Sequence, residues 1–120
     1  MDIKDFYIYE NETIISAVEA IEKNHQRSIF LANEDDKITG VLSQGDIIRE
    51  MISGTSMYSH CSNIANTGFK YLKSRDMEKA YKIFKSINLS AIPVIDDAFH
   101  LVDVITLHDI FDYLESKADI

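Results

Sequence analysis

Apolar positions fall into two rhythms along this chain. Ile14, Ala17, Val18 and Ile21 stand at i, i+3, i+4 and i+7, the stripe of an amphipathic helix, with Glu19, Glu22 and Lys23 on its wet face. Thr13 can cap that helix through its hydroxyl. Ser28 to Ala32 and Ile38 to Ser43 are short apolar runs bounded by polar residues, and both read as buried strands. Asn33 to Lys37 has the composition of a turn between them. A further helix is expected from Gly45 to about Ile52, with Gly54 supplying the left-handed residue that ends it. Phe6 to Tyr9 forms an aromatic strand ahead of all this.

The pattern then recurs 63 residues on. Ser43 and Asp46, at the junction of a strand and a helix, are answered by Thr106 and Asp109. Met77, Ala80, Tyr81 and Phe84 reproduce the helical stripe, Ala91 to Ile95 the first buried strand, and Leu101 to Thr106 the second. The last helix is expected from Leu107 to about Ser116. Phe69 to Leu72 mirrors Phe6 to Tyr9, and Ser74 is a candidate cap. Pro93 cannot donate to a ladder, so a strand end or an open edge is expected for it. Residues 13–51 lie on residues 76–114 without a gap, matching in class more than in identity. Each copy therefore reads strand-helix-strand-strand-helix, and neither could bury its sheet alone. The expected architecture is α/β: two βαββα repeats packed sheet to sheet about a pseudo-two-fold axis. One module fills residues 1–120, with repeats at 6–54 and 67–117 and a polar connector at 55–66 that holds at most a short helical turn.

Composition narrows the possibilities. At 120 residues and 46% hydrophobic content the chain suffices for one core but not two ordinary ones. A net charge of −8 argues against nucleic acid or an anionic membrane as partner, since both rely on a positive field. The single cysteine, Cys61, allows no intrachain disulfide. With neither an apolar leader nor a span-length apolar run, a cytoplasmic chain, or a piece cut from a larger one, is expected.

The doubled motif resembles a tandem pair of CBS (cystathionine β-synthase) domains, a Bateman module, over nearly the whole chain. The first copy supplies Gly40-Val41-Leu42-Ser43-Gln44-Gly45-Asp46. The second supplies Ile92-Pro93-Val94 and Val104-Ile105-Thr106-Leu107-His108-Asp109. Phe30 stands where the family has proline, and Asp103 where it has glycine, so the strand bearing Asp103 is expected to approach a ligand less closely. A weaker similarity, through Ser43 to Ile47 and Arg49, is to the CBS segment ahead of some sugar-phosphate nucleotidyltransferases.

The resemblance implies a regulatory ligand, an adenosyl compound such as AMP, ADP, ATP or S-adenosylmethionine, with no cofactor required. The chemistry suits the residues. A carboxylate, Asp46 or Asp109, can accept from both hydroxyls of a ribose diol. A hydroxyl, Ser43 or Thr106, adds a bond, and the helix start offers N–H groups and a positive dipole end to phosphate. The apolar strand, Ile92 and Pro93 in the second copy, offers a slot for adenine. Arg49 could reach a phosphate or simply pair with Asp46 or Glu50, and His108 could touch a ligand. Ser-x-x-Asp is also a capping-box variant, so a lone motif of this kind reads equally well as a helix cap, while the duplication and the strand context favour a ligand at one site or more, and a cap can also meet a ligand. No metal cluster or nucleophile–base pair is visible, and no catalytic role is expected.

Three readings remain. The first is a nucleotide sensor that reports to a fused or partner enzyme domain. The second is a ligand-free dimerisation module. The third is a regulatory fragment of a larger enzyme such as a sugar-phosphate nucleotidyltransferase. A homodimer is expected through Ile47, Ile48, Met51, Ile110, Phe111 and Leu114, which offer more apolar surface than one small core needs.

Overall fold

A computed structural model describes residues 2–87 and 89–118. The first repeat runs β1 (Tyr7–Tyr9), α1 (Ile14–Asn24), β2 (Ser28–Ala32), β3 (Ile38–Ser43) and α2 (Gln44–Ile52). The second runs α3 (Met77–Ser86), β4 (Ala91–Ile95), β5 (Leu101–Thr106) and α4 (Leu107–Ala118). One sheet has the order β1-β2-β3, with β1 parallel to β2 and β2 antiparallel to β3. The other is the antiparallel pair β4-β5.

Period-2 alternation along the central strands sorts the core into three layers. Ile29 and Leu31 of β2 face α1 and α2, where they meet Ile14, Ala17, Ile21 and Ile47. Phe30 and Ala32 point the other way, toward Ala91, Ile95 and Val104 of the second sheet. Ile92 and Val94 turn from that seam to Ala80, Ile105 and Ile110. The two sheets thus pack face to face, and every residue of β2 and β4 is buried.

The turns between the paired strands show how closely one unit was written twice. The Asn33 side chain accepts from the amides of Asp35 and Lys37. At the equivalent positions Asp96 accepts from Ala98 and His100. Each turn then passes through a residue of positive φ, Asp36 (61°) and Phe99 (67°). The two turns meet at a bridge between Lys37 and His100, which are equivalent under the 63-residue offset. The irregularity in strand register also recurs, at Leu31/Ala32 and Val94/Ile95.

One expected element is reduced. Phe69 to Leu72 forms no strand, only a single parallel bridge between Leu72 and Val94. Leu72 donates to the Pro93 carbonyl and accepts from Ile95. The next rung would need an N–H at residue 93 directed at Lys70, and proline has none. Phe30 holds the matching place in the first repeat, and there Tyr7 pairs with Phe30 and β1 forms. Pro93 accordingly sits mid-strand rather than at a strand end, with its nitrogen on the side where the ladder stops.

The helix starts agree with the offset better than with the expected cap. Thr13 caps α1 by accepting from Ser16 at 3.2 Å. Its equivalent Asp76, not Ser74, caps α3 by accepting from Lys79 at 3.1 Å. Phe6 closes a 3-10 turn, Ile3–Phe6, rather than joining β1. In the connector, Cys61–Asn63 make one 3-10 turn, and Asn66 exchanges two 2.9 Å backbone hydrogen bonds with Val41, covering the free edge of β3. Among the described residues no helix is long and apolar enough to cross a membrane.

Candidate functional site

Ser43 ends β3 in an extended conformation and caps α2. Its Oγ accepts from the Asp46 amide at 3.1 Å, and its own amide donates to Asp46 Oδ2 at 3.1 Å. The second motif repeats this: Asp109 N–H donates to Thr106 Oγ1 at 3.2 Å, and Thr106 N–H to Asp109 Oδ2 at 2.9 Å. Both motifs are therefore reciprocal caps, which fix the carboxylates at the helix starts whatever else they do.

The helix starts are less open than the sequence suggests. The Gln44 amide donates to the Arg27 carbonyl at 2.8 Å, and the Leu107 amide to the Ser90 carbonyl at 3.2 Å. Arg27 and Ser90 are themselves equivalent positions. Among the described residues the Gly45 amide is the one in the first turn of α2 with no acceptor.

The two motifs then diverge. At the first, the Arg49 guanidinium folds back to Asp46 Oδ1 and lies over the helix start, with Nη1 3.4 Å from where a Cβ on Gly45 would stand. Partial burial of Asp46 opposes its ionised form. The hydrogen bonds from Ser43, with the bond and charge of Arg49, outweigh that and hold the carboxyl below the usual carboxylate range. At the second, Arg75 spans Asp103 (2.9 Å) and Asp109 (3.3 Å) and reaches the Val104 carbonyl (3.4 Å). Burial works against the Arg75 charge, but the two carboxylates prevail and raise its already high pKa. Asp103 thus anchors the half-exposed Arg75. Its counterpart Gly40 leaves room for the connector instead, since a Cβ there would stand 3.1 Å from Ala65 Cβ and 3.2 Å from the Asn66 carbonyl.

A cleft of about 730 Å³ opens at the first motif. Ser43, Gln44, Gly45, Asp46 and Arg49 form one side, and Leu89, Ser90, Ala91 and Leu107 of the second repeat another. Arg27 and Asn66 complete it. The cleft lies across the seam between repeats, where Ser28 Oγ and Ser90 Oγ approach to 3.1 Å. His25 (φ 59°) and Arg27 (φ 62°) hold left-handed backbone conformations at this wall. Asn24 secures them, donating to the carbonyls of Asp5 and Ser28 and accepting from Gln26. A smaller cavity of about 120 Å³ adjoins it through Val41, Asn66, Leu89 and Ala91, and is otherwise lined by Phe30, Gly68, Phe69, Ile87 and Pro93 together with Lys70.

The structure therefore brings Ser43, Asp46 and Arg49 together and places Pro93 beside them. It leaves Thr106 and Asp109 outside the cleft. Ile92 is fully buried among Leu72, Ala80 and Ile105, with no face toward a cavity. His108 is exposed on α4, 3.4 Å from Asp112. Arg27, Ser90 and Asn66 escaped the sequence reading. For Arg27 and Ser90 a signal existed: both immediately precede or open the buried strands and share the 63-residue offset.

Comparison with known proteins agrees with this architecture. The CBS domain family model matches residues 1–53 and 72–116. The chain is 26% identical over 91 residues to the magnesium transporter MgtE of Thermus thermophilus, a match covering 75% of this chain and 19% of the transporter. It spans less than a third of each of the curated relatives it matches. Among solved structures, a CBS domain protein from Pyrobaculum aerophilum complexed with AMP superposes with a TM-score of 0.77 at 21% identity, covering 92% of this chain and 91% of that one. A CBS domain pair in complex with 5′-methylthioadenosine and S-adenosyl-L-methionine gives 0.79 at 18% identity, covering 93% and 89%. The chain belongs to the CBS domain family, as a tandem pair of CBS repeats.

Proposed function

We propose that the module is a cytosolic regulatory sensor: it binds one adenosyl ligand, an adenine nucleotide or S-adenosylmethionine, in the cleft at the first motif and reports occupancy to a partner domain or protein. The observation that carries this is the convergence of Ser43, Asp46, Arg27 and Arg49 on a cleft walled by both repeats. A ligand there touches α2 and the start of β4 together, so its binding energy depends on how the repeats are set against each other. Such a difference between two arrangements is what allostery requires. Two arginines give the cleft a positive lining in a chain of net charge −8. The AMP and S-adenosylmethionine complexes of the related CBS proteins support the ligand class. The match to a stretch of a transporter supports a role within a larger assembly.

A second reading, dimerisation without a ligand, is favoured by one observation. Ile48, Met51 and Phe111 remain half exposed on α2 and α4, while Ile47 and Ile110 turn into the core and Leu114 packs partly against it. Dimerisation itself is compatible with ligand binding, and a homodimer through these helices is part of the proposal.

Thermal unfolding with and without AMP, ADP, ATP and S-adenosylmethionine tests it. A ligand at about a hundred times its dissociation constant adds roughly 2.7 kcal/mol, a shift of several degrees for a domain of this size. The shift should vanish in Asp46→Ala and persist in Asp109→Ala. No shift with any of the four compounds would leave the dimerisation module as the better account.

A further inference from the structure

We propose that Arg49 makes this cleft selective for adenosine compounds that carry a phosphate, over adenosine itself. The inference rests on the reading above and names the ligand class of the same site. Asp46 already accepts a bond at each carboxylate oxygen. Ser43 N–H occupies Oδ2 and the Arg49 guanidinium holds Oδ1. Each oxygen keeps a further lone pair, so a diol that takes both competes with Arg49 at Oδ1 and weakens that charge-assisted bond. An anion on the ligand restores what the guanidinium loses.

The surroundings allow that exchange. Arg49 is 71% exposed, and Asp46 is its one ion-pair partner among the described residues. It already lies across the start of α2, beside the remaining free amide at Gly45. Arg27 lines the same cleft, beside the start of α2, and forms no ion pair among the described residues, so it is available to the phosphate as well. Guanidinium groups suit phosphate because their N–H groups meet two oxygens at once. Binding of AMP then swaps one pair, carboxylate with guanidinium, for two: carboxylate with diol and guanidinium with phosphate. Adenosine weakens the first pair and gives the guanidinium nothing in return.

The measurement is the affinity for AMP and for adenosine by isothermal titration calorimetry, in the full chain and in Arg49→Met and Arg27→Met. The native chain should bind AMP about tenfold or more tighter than adenosine, the usual strength of a hydrogen bond to a charged group. Arg49→Met should weaken AMP by a similar factor and tighten adenosine severalfold, because Asp46 is released. Arg27→Met should weaken AMP and leave adenosine unchanged. Equal affinity for the two ligands in the native chain, or an Arg49→Met that weakens both alike, overturns the selectivity while leaving the adenosyl site in place. Binding of neither ligand overturns the site itself and this inference with it.

Discussion

Arg75 holds the second motif shut, and its removal has a calculable cost. Its guanidinium stands 2.9 Å from Asp103 and 3.3 Å from Asp109. In Arg75→Met the two carboxylates lose their shared counter-charge. Arg75 and Asp103 side chains are 44% and 43% exposed, and Asp109 is 23% exposed, so water screens much of the interaction. Exposed pairs contribute about 0–1 kcal/mol each, and two pairs sharing one cation argue for a loss near 1 kcal/mol at low salt. That corresponds to a fall of roughly 3–5 °C in the melting temperature. At 1 M salt the Debye length drops to about 3 Å and the loss should shrink by half or more. The double variant Arg75→Met/Asp103→Asn should recover part of the stability, because one of the opposed carboxylates is gone. Circular dichroism melts at low and high salt read all of this. A melting temperature indifferent to Arg75→Met at low salt, or a double variant less stable than the single one, would refute the claim that this triad is an electrostatic clasp.

Three other outcomes follow from single positions. Burial, with the nearby charge of Glu12, pushes the Cys61 thiol up to about 11, so the native protein should resist a disulfide reagent at pH 8 and react only on unfolding. Asp46 titrates below its ordinary value when folded, so it stabilises the fold above the usual carboxylate range and that contribution is lost as pH falls through the lowered folded pKa. Asp46→Asn should therefore flatten the acid limb of a stability-against-pH curve measured by urea unfolding. Gly40→Val should cost about 1–3 kcal/mol in the same assay, because the added side chain meets Ala65 and the Asn66 carbonyl at sub-contact distance.

Much of the fold was legible because it is local and duplicated. The stripe Ile14, Ala17, Val18, Ile21 and its copy at Met77 to Phe84 need only a helical period to be seen, and the Asn33 and Asp96 turns need only their composition. Phe69 to Leu72 went astray because its fate depends on Pro93, which lies distant in sequence and removes the N–H that a second rung requires. The true cap Asp76 was available from the offset with Thr13, though Ser74 looked suitable on propensity alone.

The site was legible in part, for the same reason. Ser43, Asp46 and Arg49 lie within two turns of one helix, so spacing alone brings them together. Arg27 reaches the site through a backbone bond to Gln44, and Arg75 meets Asp109 across the intervening α3, β4 and β5 of the sequence; neither relation leaves a mark in local pattern. Ile92 shows the opposite error. Its strand flanks the motif, but the alternation of β4 turns it into the helical layer and leaves Ala91 and Pro93 to face the cavities.

The central claim is that one ligand sits between the repeats at the first motif. A titration of the 15N-labelled chain with AMP, followed by amide NMR shifts, addresses it residue by residue. Saturable shifts should cluster at Arg27, Ser28, Ser43 to Asp46 and Ser90 to Ala91, with Thr106 to Asp109 little affected. Shifts centred on Thr106 to Asp109, or none at all at saturating AMP, would contradict it.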